Sequence, residues 1–236
     1  MCTVSFIKTD TKIIITSNRD EMVNRPSAIA PKKYIVNGKN VIYPKDPKAG
    51  GTWFVVDKKG TVLVLLNGAD EKHTIKLNYR KSRGLIVLDI IGNASPRDFW
   101  NTIDLDNIEP FTIVLFQEQE LFQLRWNGAK KEAIKLDTNK KHIWSSSTLY
   151  SKEIRKKRAN LFQGFIEKKM MLSEVEMLDF HRHTEEGNKE NGLVINRNGE
   201  LKTLSITQSI IERNKLTVLH HDLIAHEDFC SLFITI

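Results

Sequence analysis

The chain predicts an α+β fold, two antiparallel sheets stacked face to face with helices on the outside, an αββα sandwich. Three observations lead there. Strand-like and helix-like stretches come in blocks, in the order strands, helices, strands, helices, strands, and not in βαβ alternation. Tight-turn signals join many neighbouring strands, which makes hairpins and hence antiparallel pairing. No internal repeat or linker-like change of composition divides the 236 residues, so residues 1–236 read as one domain.

Residues 3–7 and 12–17 read as two strands around a turn holding Thr9-Asp10-Thr11, and Ile13, Ile14 and Ile15 suit a buried strand. The stretch 22–51 carries Pro26, Pro31, Pro44 and Pro47. It is expected to be a long irregular loop with a short strand at 34–36, and such loops are usually functional. Its end, Ala49-Gly50-Gly51-Thr52-Trp53, offers glycines for positive φ or for a close backbone approach. A hairpin follows, 52–56 and 61–66 around Asp57-Lys58-Lys59-Gly60, and delivers Asn67-Gly68 to the end of an apolar strand.

Helices are expected over 82–93 and 95–103; Ser95-Pro96-Arg97-Asp98 combines an N-cap, a proline at N1 and an acid at N3. Strands return at 112–116, 121–126, 131–136 and 142–145, and Trp144-Ser145-Ser146-Ser147 leaves that sheet. The longest helix spans 151–170, with Ile154, Leu161, Phe162, Phe165 and Ile166 on one side. A capping box at Ser173-Glu174-Val175-Glu176 opens a shorter helix ending near Phe180. The last strands are placed at 192–196, 201–206 and onward to 212, 216–220 and 229–236.

Hydrophobic residues make up 40% and charged residues 28%, an ordinary globular balance. No apolar run is long enough for a transmembrane helix, and the N-terminus lacks a signal-peptide pattern, so a cytoplasmic location with Cys2 and Cys230 reduced is expected. The net charge of +7 raises nucleic-acid binding as one class. The basic residues are scattered, however, and the run Arg155-Lys156-Lys157-Arg158 reads as a solvated helix face, so no nucleic-acid partner is expected. The charge favours an anionic small molecule instead. His181 and His183 have no cysteine or carboxylate at metal-site spacing, so neither a metal nor a cofactor is expected. His220, His221 and His226 read as surface residues near loop ends.

Chemistry concentrates at the start of the chain. Trimming of Met1 before the small Cys2 leaves a thiol and a free α-amine on one residue. A thiol attacks only once ionised, with an ordinary pKa of about 8.5. The amine, near ~8, is a base within reach of it, so one residue supplies both nucleophile and base. In a short hairpin Cys2 and the segment Asn18-Arg19-Asp20 meet at one sheet end, since antiparallel neighbours lie about 5 Å apart.

Met1-Cys2-Thr3, Asn18-Arg19-Asp20-Glu21 with Arg25-Pro26, and Gly50-Gly51-Thr52-Trp53 followed by Asn67 together resemble the NRDE family, which includes the transport and Golgi organisation protein 2 homologues. The resemblance extends over the whole chain, including residues 144–147 and 203–207. That family is similar to cysteine-type N-terminal nucleophile (Ntn) hydrolases, among them penicillin V acylases and bile-salt hydrolases. The resemblance implies Cys2 as nucleophile through a thioester, Arg19 and Asp20 as the pair that holds it, and Asn67 as oxyanion donor. Asn18, Gly51 and Trp53, from the matching motifs, are expected to contact substrate. Ser146 stands where the acylases carry a further Asn, and a hydroxyl is a shorter donor than a carboxamide. Two classes therefore remain open: a hydrolase of linear amide or related acyl bonds, and a non-catalytic carrier of haem or an acyl or lipid ligand, since the family's eukaryotic members are linked to lipid and haem handling.

Overall fold

The computed structural model describes residues 3–234. The first hairpin is β1 (Thr3–Lys8) and β2 (Lys12–Met22); the second is β3 (Ile29–Val36) and β4 (Lys39–Lys45). Then come β5 (Phe54–Asp57), β6 (Val62–Asn67), α1 (Arg83–Ile91) and α2 (Pro96–Thr102). A meander follows, β7 (Phe111–Gln117), β8 (Glu120–Trp126) and β9 (Lys131–Leu136), and then β10 (His142–Ser145) in the other sheet. The chain continues with α3 (Lys152–Glu167), α4 (Glu174–His183), β11 (Asn196–Arg197), β12 (Leu201–Glu212), β13 (Lys215–Asp222) and β14 (Glu227–Ile234).

Among the described residues these strands form two seven-stranded sheets. One runs β10-β1-β2-β12-β13-β14 with β11 beside β12; the other runs β3 to β9 in sequence order. Period-2 alternation gives each sheet two buried faces. Val4, Phe6, Ile13 and Ile15 point into the core shared by both sheets. Ile7 and Ile14 point outward, where Phe162 of α3 and Met177 and Phe180 of α4 cover them. Ile86, Val87, Ile90 and Trp100 bring α1 and α2 onto the other sheet. The result is the four-layer αββα sandwich. No helix among the described residues is long and apolar enough to cross a membrane.

Three elements differ from the sequence expectation. Residues 22–51 are largely a hairpin, not a loop: Val36 pairs with Lys39 around Asn37-Gly38, both at positive φ, the pattern of a type I′ turn. Its prolines are tolerated because β3 is an edge strand with an irregular register at Ile29–Lys32, and Pro44 lies past the two pairs that tie β4 to β5. Strand β2 does not stop at Ser17. It continues through the Asn18-Arg19-Asp20-Glu21 motif because the long β12 pairs with it as far as Met22. Residues 192–195 are not a strand; only Asn196–Arg197 pairs there.

Candidate active site

Alternation along β2 sorts the motif by face. Ile13 and Ile15 point to the core between the sheets, and Ser17 and Arg19 continue that series. Ile14 packs under the helices, and Asn18 and Asp20 continue the other series.

On the inner side Arg19, only 1% exposed, donates from Nη2 to Asp46 Oδ2 at 3.2 Å. Its guanidinium carbon lies 4.3 Å from the Trp53 ring centroid. Arg25 donates from Nε to the same Asp46 oxygen at 2.6 Å. Two cations therefore share one carboxylate. Burial pushes the Asp46 carboxyl up, but the Arg25 hydrogen bond, the Ala49 amide and the two guanidinium charges outweigh it, and its pKa lies below the usual value. Asp46 is fixed by a turn of its own: Oδ1 accepts from the Lys48 and Ala49 amides, each at 3.0 Å.

That turn ends in the paired glycines, which serve different purposes. Gly50 sits at φ +73°. Gly51 lies so close to α1 that a Cβ would stand 2.3 Å from the Gly84 carbonyl carbon. The Thr52 amide donates to Gly84 O at 3.2 Å and fastens this contact. The close approach forms part of a cleft of about 430 Å³, lined by Glu21, Arg25, Asp46, Gly51, Trp53 and Asn67 and by the Arg83–Glu109 ion pair. Asn67 ends β6; its carbonyl accepts from Ser146 Oγ at 2.8 Å, and its Oδ1 is buried without a hydrogen-bond partner among the described residues.

On the helix side Asp20 is fully buried and accepts from Tyr150 OH at 2.7 Å and from Thr203 Oγ1 at 2.6 Å. Burial, with the Asp20 charge beside it, pushes the Tyr150 phenol well above its ordinary pKa. Arg158 stacks on the Tyr150 ring at 3.6 Å and donates to Thr3 Oγ1 and to the Gly192 carbonyl. Asn18 Nδ2 donates to the carbonyls of His181 and Leu193 at 3.0 and 2.8 Å. His181 Nδ1 donates back to Asn18 Oδ1, and its Nε2 accepts from Ser5 Oγ at 2.7 Å. Burial, with the Arg158 charge second, lowers His181 to about 3, so it is neutral. The polar layer ties β1 to α3 and α4.

Gly51, Trp53 and Asn67 line the cleft. Arg19 touches Trp53 and lines a smaller neighbouring cavity. Three other expected residues do not line this cleft. Asn18 faces the helix layer, where its Nδ2 donates to two backbone carbonyls. Asp20 and Arg19 point to opposite faces, as adjacent strand residues do, and the motif acid that lines the cleft is Glu21. Ser146 lines a separate cavity of about 160 Å³, and its hydroxyl is engaged with Asn67 O and Thr148 Oγ1. Cys2 lies outside the described residues. His220 is buried within β13, not on the surface: it bonds Thr207 Oγ1 at 2.8 Å, and burial lowers it to about 4.

Sequence reasoning missed Asp46, Tyr150 and Arg158. Arg158 was legible: Ile154, Arg158 and Phe162 recur every four residues along the buried stripe of α3, which sets Arg158 apart from the solvated Lys156 and Lys157. Asp46 was hidden in the segment expected to be irregular.

A family model described as Transport and Golgi organisation 2 matches residues 1–215. No curated protein matches the chain significantly. Among solved structures, the Caenorhabditis elegans ortholog of N-acylethanolamine-hydrolyzing acid amidase is similar with a TM-score of 0.63 and 11% identity, over 88% of this chain and 92% of that one. A variant of the conjugated bile acid hydrolase from Clostridium perfringens is similar with a TM-score of 0.55 and 10% identity, over 98% of this chain and 92% of that one. At such identities the likeness is one of fold, an Ntn-hydrolase-like sandwich. The family match spans nearly the whole sequence, and the chain belongs to the Transport and Golgi organisation 2 family.

Proposed function

We propose that this protein is an N-terminal-cysteine hydrolase acting on a linear amide or related acyl bond. The observation that carries the reading is the setting of the first described residue. Thr3 pairs with Asn18 on one side and with Ser145 on the other, so β1 opens between the Arg19 strand and the loop whose Ser146 holds Asn67. The even-numbered residues Val4 and Phe6 face the interior as Arg19 does, and the proposal assigns Cys2 to that face.

In this mechanism the α-amine takes the thiol proton, and the thiolate attacks the acyl carbon. Arg19 favours the thiolate as a nearby cation. The Asn67 carboxamide donates to the developing oxyanion, a contribution of roughly 3–4 kcal/mol for one such donor. Collapse expels the leaving amine with the proton held by the α-amine and leaves a thioester. Water then adds to the thioester, the thiol departs, and a carboxylate is released. Asp20 acts at one remove, anchoring Tyr150 and through it the Arg158–Thr3 contact. The similar solved structures are named for hydrolysing N-acylethanolamines and conjugated bile acids, which supports an acyl substrate for this fold.

The second reading is a non-catalytic carrier for an acyl, lipid or haem ligand. The engagement of the Ser146 hydroxyl with Asn67 O and Thr148 favours it, since that hydroxyl is not left open toward a substrate. A panel of linear amides and acyl thioesters, assayed with the native protein beside Cys2→Ser, decides between them. Turnover that disappears in Cys2→Ser supports the hydrolase; ligand binding without turnover in either protein supports the carrier.

A further inference from the structure

We propose that the smaller cavity beside Arg19 is a binding site for a short acyl chain that ends in a carboxylate or carbonyl oxygen. Its assignment as the seat of the acyl half of the substrate rests on the hydrolase reading above; the binding site itself does not.

A β-bulge builds the polar end. Strand β12 pairs with β2 until Thr203 meets Asp20, and the next pair is Ser205 with Arg19. Leu204 is the extra residue, and such an insertion re-aims the strand. A regular register would set the Leu204 side chain opposite Arg19; the bulge sets a hydroxyl there. Ser205 is 2% exposed, lines the cavity, and its Oγ has no hydrogen-bond partner among the described residues. Buried hydroxyls in native proteins nearly always have a partner. A donor left open next to a buried guanidinium fits an oxygen acceptor supplied by a ligand.

The other walls are apolar. Val23, Ala28, Leu204 and Ile224 line the cavity, and Val23 and Ile224 remain 45% and 51% exposed at its edge. Lys202 and Arg25 add two further cations. Asp46 offsets one charge of the Arg19–Arg25 pair. Asp222 lines the cavity with its Oδ1 already accepting from the Ile224 and Ala225 amides, so the cations still outnumber these acids. Apolar walls with a cationic end match a fatty carboxylate and oppose an amine. The cavity, of about 160 Å³ and open at its Val23–Ile224 edge, has room for a short chain. Arg25 lines both this cavity and the larger cleft. A substrate with its acyl chain here would therefore extend its polar half toward Glu21, Arg83 and Glu109.

Titration calorimetry with hexanoate and with hexylamine tests the site. Hexanoate is expected to bind and hexylamine not to. Ser205→Ala should weaken hexanoate about tenfold, the loss expected for one hydrogen bond to a charged group. Lys202→Glu, a change at a partly exposed position, should weaken it further and keeps the test decidable if Ser205→Ala folds poorly. Failure of hexanoate to bind, or equal binding by both variants, overturns the proposal. Amide turnover separates it from the hydrolase reading. Hexanoate binding without turnover of any amide leaves the cavity standing and removes the hydrolase. Turnover of acyl amides whose chain-length preference is unchanged in both variants does the reverse.

Discussion

Arg19 and Asp46 form an ion pair between the middle of one sheet and the turn that follows β4 of the other, with Nη2 3.2 Å from Oδ2. Arg25 shares that carboxylate at 2.6 Å. Breaking a buried pair by removing one member costs about 3–5 kcal/mol. Asp46→Asn is therefore expected to lower unfolding free energy by that order in urea titration. A loss within ~0.5 kcal/mol would show that the pair contributes little.

Tyr150→Phe is a gentler probe of the opposite face. It removes the donor to Asp20 Oδ2 and keeps the ring on which Arg158 stacks. Leaving a buried carboxylate one donor short costs about 1–3 kcal/mol. The same urea titration measures it, and an unchanged midpoint would mean that water replaces the phenol.

Gly51→Ala tests the close approach behind the cleft. The new methyl would meet the backbone of Gly84 at 2.3 Å, and backbone cannot swing aside as a side chain does. Overpacking of this kind costs about 1–3 kcal/mol or more. Thermal unfolding should show a clear drop, and a smaller change at Gly50→Ala would point to strain at φ +73° as the milder of the two.

Stability should fall on mild acidification. His181 and His220 are held neutral in the fold, lowered to about 3 and about 4 from 6.5. Above pH 6.5 neither state is protonated at these sites, and their contribution is complete. Between 6.5 and the lowered values the unfolded chain binds protons that the folded one does not, so stability declines as pH falls. For His181 the loss approaches roughly 5 kcal/mol at pH 3. Urea midpoints measured from pH 7.5 to 4.5 should decrease steadily, and Asp46 adds a further loss only below the ordinary carboxylate range. A flat profile over pH 6.5–4.5 contradicts the buried neutral histidines.

The layer order was legible because block order and turn residues are local signals: the hairpin at 57–60 and the capping box at Ser173–Glu176 stand where the sequence sets them. The β3–β4 hairpin was missed because prolines outweighed Asn37-Gly38, although an edge strand accepts proline. Gly51, Trp53 and Asn67, singled out by motif resemblance, line one cleft. The opposed directions of Arg19 and Asp20 follow from strand alternation, but only once β2 is known to run through the motif. Ser205 beside Arg19 depends on a bulge, a feature of long-range pairing that no local pattern announces.

The central claim is that Cys2 is an activated nucleophile. Its most direct test is the pH dependence of alkylation in a Cys230→Ser protein, read by mass spectrometry of the N-terminal peptide, since Cys230 is itself exposed. The account predicts a peptide lacking Met1 whose thiol reacts with a midpoint clearly below about 8.5, and a midpoint that rises in Arg19→Leu. Retention of Met1, or a midpoint at or above the ordinary thiol value that Arg19→Leu leaves in place, would contradict it.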